Sequence, residues 1–243
     1  MIFLNDSEGW GRLCNQIFRS IGISILAKKH NLKVQYPFKY IDIMNKLGII
    51  LFNGSKTHNN ITNINDNNLI HYINLENIDY TFNIEYCFFQ TLEISDLIYK
   101  YIRNECKENI ITHNKFKDRY NNNNDIFIHM RLGDTIYYRI HIHYYINILN
   151  TLNYNNIYIS SDTINDTDIM KIQQTFKNVY LIEYNEIDTI HFGSTCKNVI
   201  LSTGSFSAII GYMAFYSNIF YNNNTSNWCP LNIFENKGFI PKL

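Results

Sequence analysis

The sequence predicts an α/β fold built on parallel sheets, and three observations carry that reading. Short apolar runs of strand length recur along the chain, and segments with helical periodicity follow them. The alternation is most regular downstream of residue 125, where four strand–helix units follow one another. The run Val199-Ile200-Leu201 is apolar throughout, as a parallel strand buried on both faces should be.

Taken in order, residues 2–4 read as the opening strand. A loop to residue 12 and a helix over 14–30 follow, then a strand over 32–36 and a helix over 40–47. Residues 53–68 are polar and poorly patterned. The apolar positions 94, 97, 98, 101 and 102 predict a helix over 93–104. The Asn-rich stretch 120–125 is the best linker, dividing a first domain (1–120) from a second (126–243). In the second, strands over 126–131, 156–160, 178–183 and 198–202 alternate with helices over 142–152, 166–176, 187–196 and 206–217. The tail 230–243 is expected to pack back on the first half, and no repeat of 20 to 50 residues is present.

Composition narrows the function. A hydrophobic content of 46% against 17% charged supplies a real core, and a formal net charge of zero argues against a general nucleic-acid binder. The cluster Lys115, Lys117 and Arg119 includes Asp118 and reads as a solvated face. The five cysteines (14, 87, 106, 196, 229) are scattered, odd in number and form no C-x-x-C, which predicts buried free thiols in a reducing compartment. No signal peptide and no long apolar run is seen, so a soluble cytoplasmic protein without a transmembrane segment is expected. Asn, Ile, Tyr and Lys have AT-rich codons, so the N-x-S/T matches at Asn53, Asn60, Asn165 and Asn223 say little about glycosylation. His141 and His143 lack further ligands at zinc spacing, and no metal is expected.

Three strand ends point to a site. Ser202-Thr203-Gly204-Ser205 joins the apolar strand to a helix starting at Phe206. Gly204 suits a positive φ and Ser205 an N-cap, and the helix start offers N–H groups to phosphate. Residues 126–134 form a strand ending in His129, Arg131 and Asp134, and 157–162 another ending in Ser160, Ser161 and Asp162. In a parallel sheet these ends share one edge, where ligands bind. An Arg facing a helix dipole suits a pyrophosphate, so Arg131 is the candidate diphosphate ligand, the alternative being a structural Arg bonding strand-end carbonyls. His129 contacts ribose or base, or is a satisfied core histidine. Asp162 accepts from the N–H groups of a base or from a ribose hydroxyl, or caps the following helix. Ser205, Phe206 and Ser207 offer hydroxyls and amides to phosphate, although capping alone explains Ser205. Arg12 and Asn15 open the first helix. Asp6, Glu8 and Asp134 are open candidates for a general base, and Trp10, Tyr137 and Tyr138 flank the motifs as sugar-stacking or packing aromatics.

The motifs also resemble a family. Gly11-Arg-Leu-Cys-Asn-Gln-Ile-Phe18 resembles the Gly-x-x-Gly-Asn-Gln-x-Phe signature of α-1,2-fucosyltransferases (glycosyltransferase family 11), to which protein O-fucosyltransferases are related. His129-Met-Arg-Leu-Gly-Asp134 is similar to their His-x-Arg-Arg-Gly-Asp, Ser160-Ser-Asp162 to Phe-Ser-Asp-Asp, Ser202-Thr-Gly-Ser-Phe-Ser207 to Asn-Ser-Ser-Phe-Ser-Trp-Trp, and Tyr86-Cys-Phe-Phe-Gln90 to Gly-Tyr-Phe-Gln. Leu132 stands where the family has its second Arg, Cys14 where it has Gly, and Ala208-Ile209 where it has Trp-Trp. The resemblance implies a GT-B fold of two Rossmann-like domains facing across a cleft. It implies metal-independent, inverting transfer of L-fucose from GDP-fucose to a galactose-type hydroxyl of a glycan acceptor. The donor would sit on the second domain against Arg12, Asn15, His129, Arg131, Asp162, Ser205, Phe206 and Ser207, with Arg131 and Asp134 catalytic. The alternatives are a catalytically altered sugar-nucleotide- or glycan-binding protein, or a related transferase using another nucleotide sugar. A kinase or dehydrogenase is disfavoured by the absence of G-x-x-x-x-G-K-[ST] and of G-x-G-x-x-G after the first strand.

Overall fold

The computed structural model describes residues 1–4, 11–133, 138–223 and 233–242. The chain separates into two compact units, 1–113 and 114–243, each an α/β layer structure on a parallel sheet, as expected.

The first unit holds strands β1 (Ile2–Phe3), β2 (Val34–Gln35), β3 (Ile61–Ile64) and β4 (Thr81–Ile84) in the order β2-β1-β4-β3, with every pairing parallel. Helix α1 (Leu13–His30) is its central support, with Ile17, Phe18, Ile21, Ile23 and Leu26 fully buried. It ends at Asn31, whose left-handed φ of 56° lets its N–H close on the Ala27 carbonyl. Helices α2 (Phe38–Leu47) and α3 (Leu69–Asn74) follow. β3 lies inside the stretch that shows no pattern in sequence. Its outer position leaves Ile61 exposed and only Ile64 fully inside, so neither alternation nor a solid apolar run results.

The helix expected over 93–104 is longer. α4 (Leu92–Tyr101) passes through a π-helical segment, Ile102–Cys106, into α5 (Lys107–His113). Ile98, Ile102, Cys106 and Ile110 are all buried at a spacing of four. Such a spacing drifts about 40° per step round an α-helix. The wider π turn takes back part of that drift and keeps the stripe facing inward.

The second unit holds β5 (Ile126–Met130), β6 (Ile157–Ser161), β7 (Val179–Leu181), β8 (Asn198–Ile200), β9 (Asn218–Asn222) and β10 (Ile240–Lys242). The order is β10-β9-β8-β5-β6-β7, again all parallel. From β5 the chain steps outward to β7, returns to β8 on the other side of β5, and steps outward again. This is the doubly wound order, with its switch point between β5 and β8. β5 is buried along its whole length. Ile126, Ile128 and Met130 join the core under α6 (Ile142–Leu149) and α7 (Thr167–Thr175). Phe127 and His129 face the other way, toward α8 (Glu186–Gly193) and α9 (Ser205–Met213). Gly193 lets α8 approach: an added Cβ would sit 2.8 Å from the Phe127 ring.

Several expectations change here. The division falls between His113 and Asn114, and the Asn-rich stretch is fastened to the second unit rather than free. Asn123 Nδ2 donates to the Arg119 and Thr195 carbonyls, and Asn124 Nδ2 to that of Asn153. Arg119 does not belong to a solvated face: it bonds Asp125 at 2.8 Å and lies 4.4 Å above the Phe192 ring. The described part of the tail, expected on the first half, packs within the second unit, where β10 pairs with β9 and the Tyr212 hydroxyl donates to the Ile233 carbonyl at 2.6 Å. Cys14, Cys87, Cys106 and Cys196 are buried free thiols. Burial pushes Cys87 and Cys196 up to about 12 and Cys106 to about 11, so all three stay protonated at neutral pH. Cys229 lies outside the described residues.

Arg139, which carries no motif, anchors the approach to α6. Its guanidinium bonds Asp166 Oδ2 at 2.8 Å and Asp168 Oδ2 at 3.2 Å. Asp166 also caps α7 by accepting the Asp168 N–H at 2.9 Å. Burial alone would raise the Asp166 carboxyl, but the Arg139 and Asp168 hydrogen bonds outweigh it and hold it below its ordinary value. Such a group stabilises the fold above its unfolded value, about 3.9, and that contribution is lost as pH falls through the lower folded value. Asp166→Asn keeps a good cap and is expected to cost about 1 kcal/mol at neutral pH in urea unfolding. The gap to wild type should close as pH is taken below about 4.

Candidate functional site

The carboxyl edge of the second sheet, around the β5/β8 switch point, carries His129, Arg131, Asp162, Ser205, Phe206 and Ser207, the predicted residues of that unit that are described. Gly204 takes φ +91° and is itself the N-cap of α9. Ser205, expected at the cap, is therefore the first helical residue, and the N-cap position itself supplies no side-chain cap. Glycine wins the position because the chain needs a positive φ there, which serine adopts only with strain. The first N–H groups of α9 thus receive no acceptor from a side chain at the N-cap.

His129 is 7% exposed and shares a 2.6 Å hydrogen bond between its Nδ1 and the Ser207 hydroxyl. That hydroxyl also accepts the Ser202 N–H at 3.0 Å. Phe206 packs on the His129 ring at 5.0 Å. The Ser207 hydroxyl, expected at a phosphate, is therefore engaged inside the fold, and His129 is a satisfied interior histidine on its Nδ1 side. Ser202, given no separate role by the sequence, uses its own hydroxyl to accept the Arg131 N–H at 3.2 Å. Arg131 directly follows β5 and is half-buried. The period of two places it on the side of the strand that His129 shares with α9.

Asp162 does not cap a helix, since Asp166 caps α7. Its Oδ1 accepts the Leu132 N–H at 2.8 Å and the Gly133 N–H at 3.1 Å. Leu132 is 4% exposed and belongs to the core under α6. A side chain at that position is buried among apolar groups, which accounts for a leucine where the resembled family has an arginine. Ala208 and Ile209 are likewise fully buried in α9. Thr203, at the end of β8, is 3% exposed, and among the described residues its hydroxyl has no hydrogen-bond partner. An orphaned buried hydroxyl is unfavourable, and no sequence signal marks it beyond its place beside Gly204.

In the first unit, Gly11 has φ +85°, and an added Cβ there would lie 2.1 Å from Asn15 Nδ2. Asn15 Oδ1 accepts from Gln90 Nε2 at 2.9 Å, so two stretches remote in sequence meet. Gln16 Nε2 donates to the Gly11 carbonyl, and its Oε1 accepts from the fully buried Arg19 at 2.8 Å. Arg12 is the N-cap of α1 and makes no side-chain cap bond. His141 and His143 stack on each other, 4.9 Å apart, at the exposed start of α6. Among the described residues no group of three or more His, Cys, Asp or Glu side chains is placed to hold a metal ion. Asp6, Glu8, Trp10, Asp134 and Tyr137 lie outside the described residues.

No protein-family model matches the chain, and no curated protein matches it. Solved structures of NodZ alpha-1,6-fucosyltransferase align with it. The form co-crystallised with GDP does so at 14% identity and a TM-score of 0.38, over 59% of this chain and 54% of that one. The form soaked with GDP-fucose gives 15% and 0.35, and the enzyme from Bradyrhizobium gives 15% and 0.33, each over 57% of this chain and 52% of that one. The chain thus spans about half the length of these proteins.

Two substitutions separate the engaged hydroxyl from the orphaned one. Ser207→Ala strips partners from His129 and from the Ser202 N–H and is expected to cost about 1–3 kcal/mol. Thr203→Val removes no hydrogen bond and should leave the ligand-free protein within about 0.5 kcal/mol of wild type. Urea unfolding measures both.

Proposed function

We propose that the chain is a metal-independent, inverting glycosyltransferase that moves L-fucose from GDP-fucose to a hydroxyl of a glycan acceptor. The α-1,2 linkage to a galactose-type hydroxyl is the finer reading. The observation that carries the proposal is the switch-point edge. Arg131 follows β5, while Thr203 and the Gly204-capped N-terminus of α9 follow β8, so all three border the switch point between these strands, where doubly wound sheets take nucleotides. The ordered motifs of the sequence supply the sugar and the nucleotide.

In this reading the donor diphosphate lies over the start of α9, where backbone N–H groups and the helix dipole favour negative charge. The acceptor oxygen attacks the anomeric carbon from the face opposite the diphosphate. The bond from that carbon to the β-phosphate oxygen breaks, and the electron pair leaves with GDP. Arg131 balances the charge that grows on the leaving oxygens. The acceptor proton passes to a carboxylate, for which Asp6, Glu8 and Asp134 remain the candidates. Ser202 and Asp162 Oδ1 fix the backbone of residues 131–133 and so aim Arg131.

The test is transfer from GDP-fucose to β-galactosides in EDTA, with other GDP- and UDP-sugars screened in parallel. Arg131→Ala is expected to reduce turnover roughly a hundredfold or more, about 3 kcal/mol of transition-state stabilisation, and to weaken GDP binding. Arg131→Lys restores only part, because a point charge does not reproduce the guanidinium fork. The melting temperature without ligand should hold. Normal GDP affinity in the alanine variant by calorimetry would remove the site assignment. GDP binding without turnover on any acceptor favours the binding-protein alternative.

A further inference from the structure

The second sheet carries a second recess, away from the switch point. Over β5 the α8/α9 face is filled by Phe127 against Gly193 and by His129 against Ser207. Over β6 and β7 it is lined by aromatic rings. Tyr158 and Tyr180 are register partners on these strands, and their rings stack with centroids 5.6 Å apart at 29°. Phe192 of α8 meets Tyr158 edge-on at 4.9 Å, and Tyr184, just beyond β7, meets Phe192 at 5.7 Å. With Asn156 and Glu183 these rings bound a groove of about 260 Å³.

The lining selects the occupant. Tyr180 and Tyr184 are 49% and 46% exposed, Tyr180 stacking on Tyr158 and Tyr184 packing against Phe192, Phe116 and the Lys115 ammonium, so each ring is open to solvent only in part. Glu183 is exposed and, among the described residues, has no hydrogen-bond or ion-pair partner. The neighbouring cations are already neutralised, Arg119 by Asp125 and Lys115 by Asp188. An anionic ligand would meet a carboxylate with no free cation to offset it. A wholly apolar ligand would cover Glu183 and the tyrosyl hydroxyls without bonding them. A neutral sugar ring satisfies both halves of the surface: its C–H face lies on the tyrosine rings and its hydroxyls bond the carboxylate and phenols.

We propose that this groove is a binding subsite for a neutral pyranose residue of an oligosaccharide, separate from the switch-point edge and independent of the transferase reading. Saturation-transfer NMR on the full chain tests it, with lactose, cellobiose and N,N′-diacetylchitobiose as probes. Transfer to the ring protons of at least one disaccharide is expected. It should persist with saturating GDP and in Arg131→Ala, which separates this site from the nucleotide edge. Tyr180→Ala should weaken that disaccharide at least tenfold and Glu183→Gln severalfold. Both residues are exposed, and unchanged melting temperatures verify that the fold is kept. Absence of transfer from all three sugars overturns the proposal. So does transfer untouched by both substitutions, or displacement of the sugar by guanosine in the Arg131→Ala protein.

Discussion

Three successive backbone N–H groups leave the end of the central strand of the second unit, and side chains from the two flanking strand ends receive them. The Arg131 N–H goes to the Ser202 hydroxyl, and those of Leu132 and Gly133 go to Asp162. A buried strand end is tolerable only when such groups are satisfied. Here the satisfaction is crosswise: β8 supplies one acceptor and β6 the other. Strand order therefore becomes site geometry. The reversal on either side of β5 opens the crevice, and the same two neighbours that define it hold the backbone carrying Arg131. Ser207 closes the set from α9, tying the Ser202 backbone to His129. Ser202, Ser207, His129 and Asp162 are thus engaged with one another or with the backbone of this edge, and the proposed reading assigns the ligand to Arg131, the α9 backbone and Thr203.

The division of labour between the two faces of that sheet explains where sequence patterning speaks clearly. β5 and β8 are buried on both sides and read as apolar runs, and the helices between them are amphipathic or apolar, so the second unit is legible down to strand and helix order. β3 and β4 are short strands among polar loops, and their side chains give no clean period of two. The carboxyl-edge motifs are legible because strand-end glycine, serine and arginine are chemically out of place in an apolar run. Their partners are not. Whether Asp162 serves a ligand, a helix or the chain itself depends on where a loop thirty residues earlier passes. Gln90 meets Asn15 across a separation of 75 residues. Arg139 finds two aspartates across nearly thirty. Glycine rather than serine caps α9 because the backbone angle of that turn, not side-chain hydrogen bonding, sets the residue. Local propensity alone does not reveal such an angle.

Aromatic side chains divide in the same way between structure and surface. Phe127, Phe192 and Tyr145 fill the layers beside the sheet, and their polar or small neighbours, Gly193 among them, are shaped to admit them. Tyr180 and Tyr184 stay at the margin, half in water. In a chain with 15% aromatic residues the sequence offers no means of telling one group from the other. Burial does, and it turns a compositional bias into a map of which rings are available to a partner.

The outermost strand of the second sheet has its own consequence. The Asn223 N–H donates to the Lys242 carbonyl, so residues 240 and 242 turn their peptide groups toward β9 and Pro241, between them, turns outward. The rim of β10 therefore lacks a donor at its middle residue. A foreign strand laid along it finds an interrupted ladder, and sheets of two molecules are discouraged from fusing at that edge. Pro241 alone thus removes the donor that such an edge-to-edge pairing would need at the middle of β10.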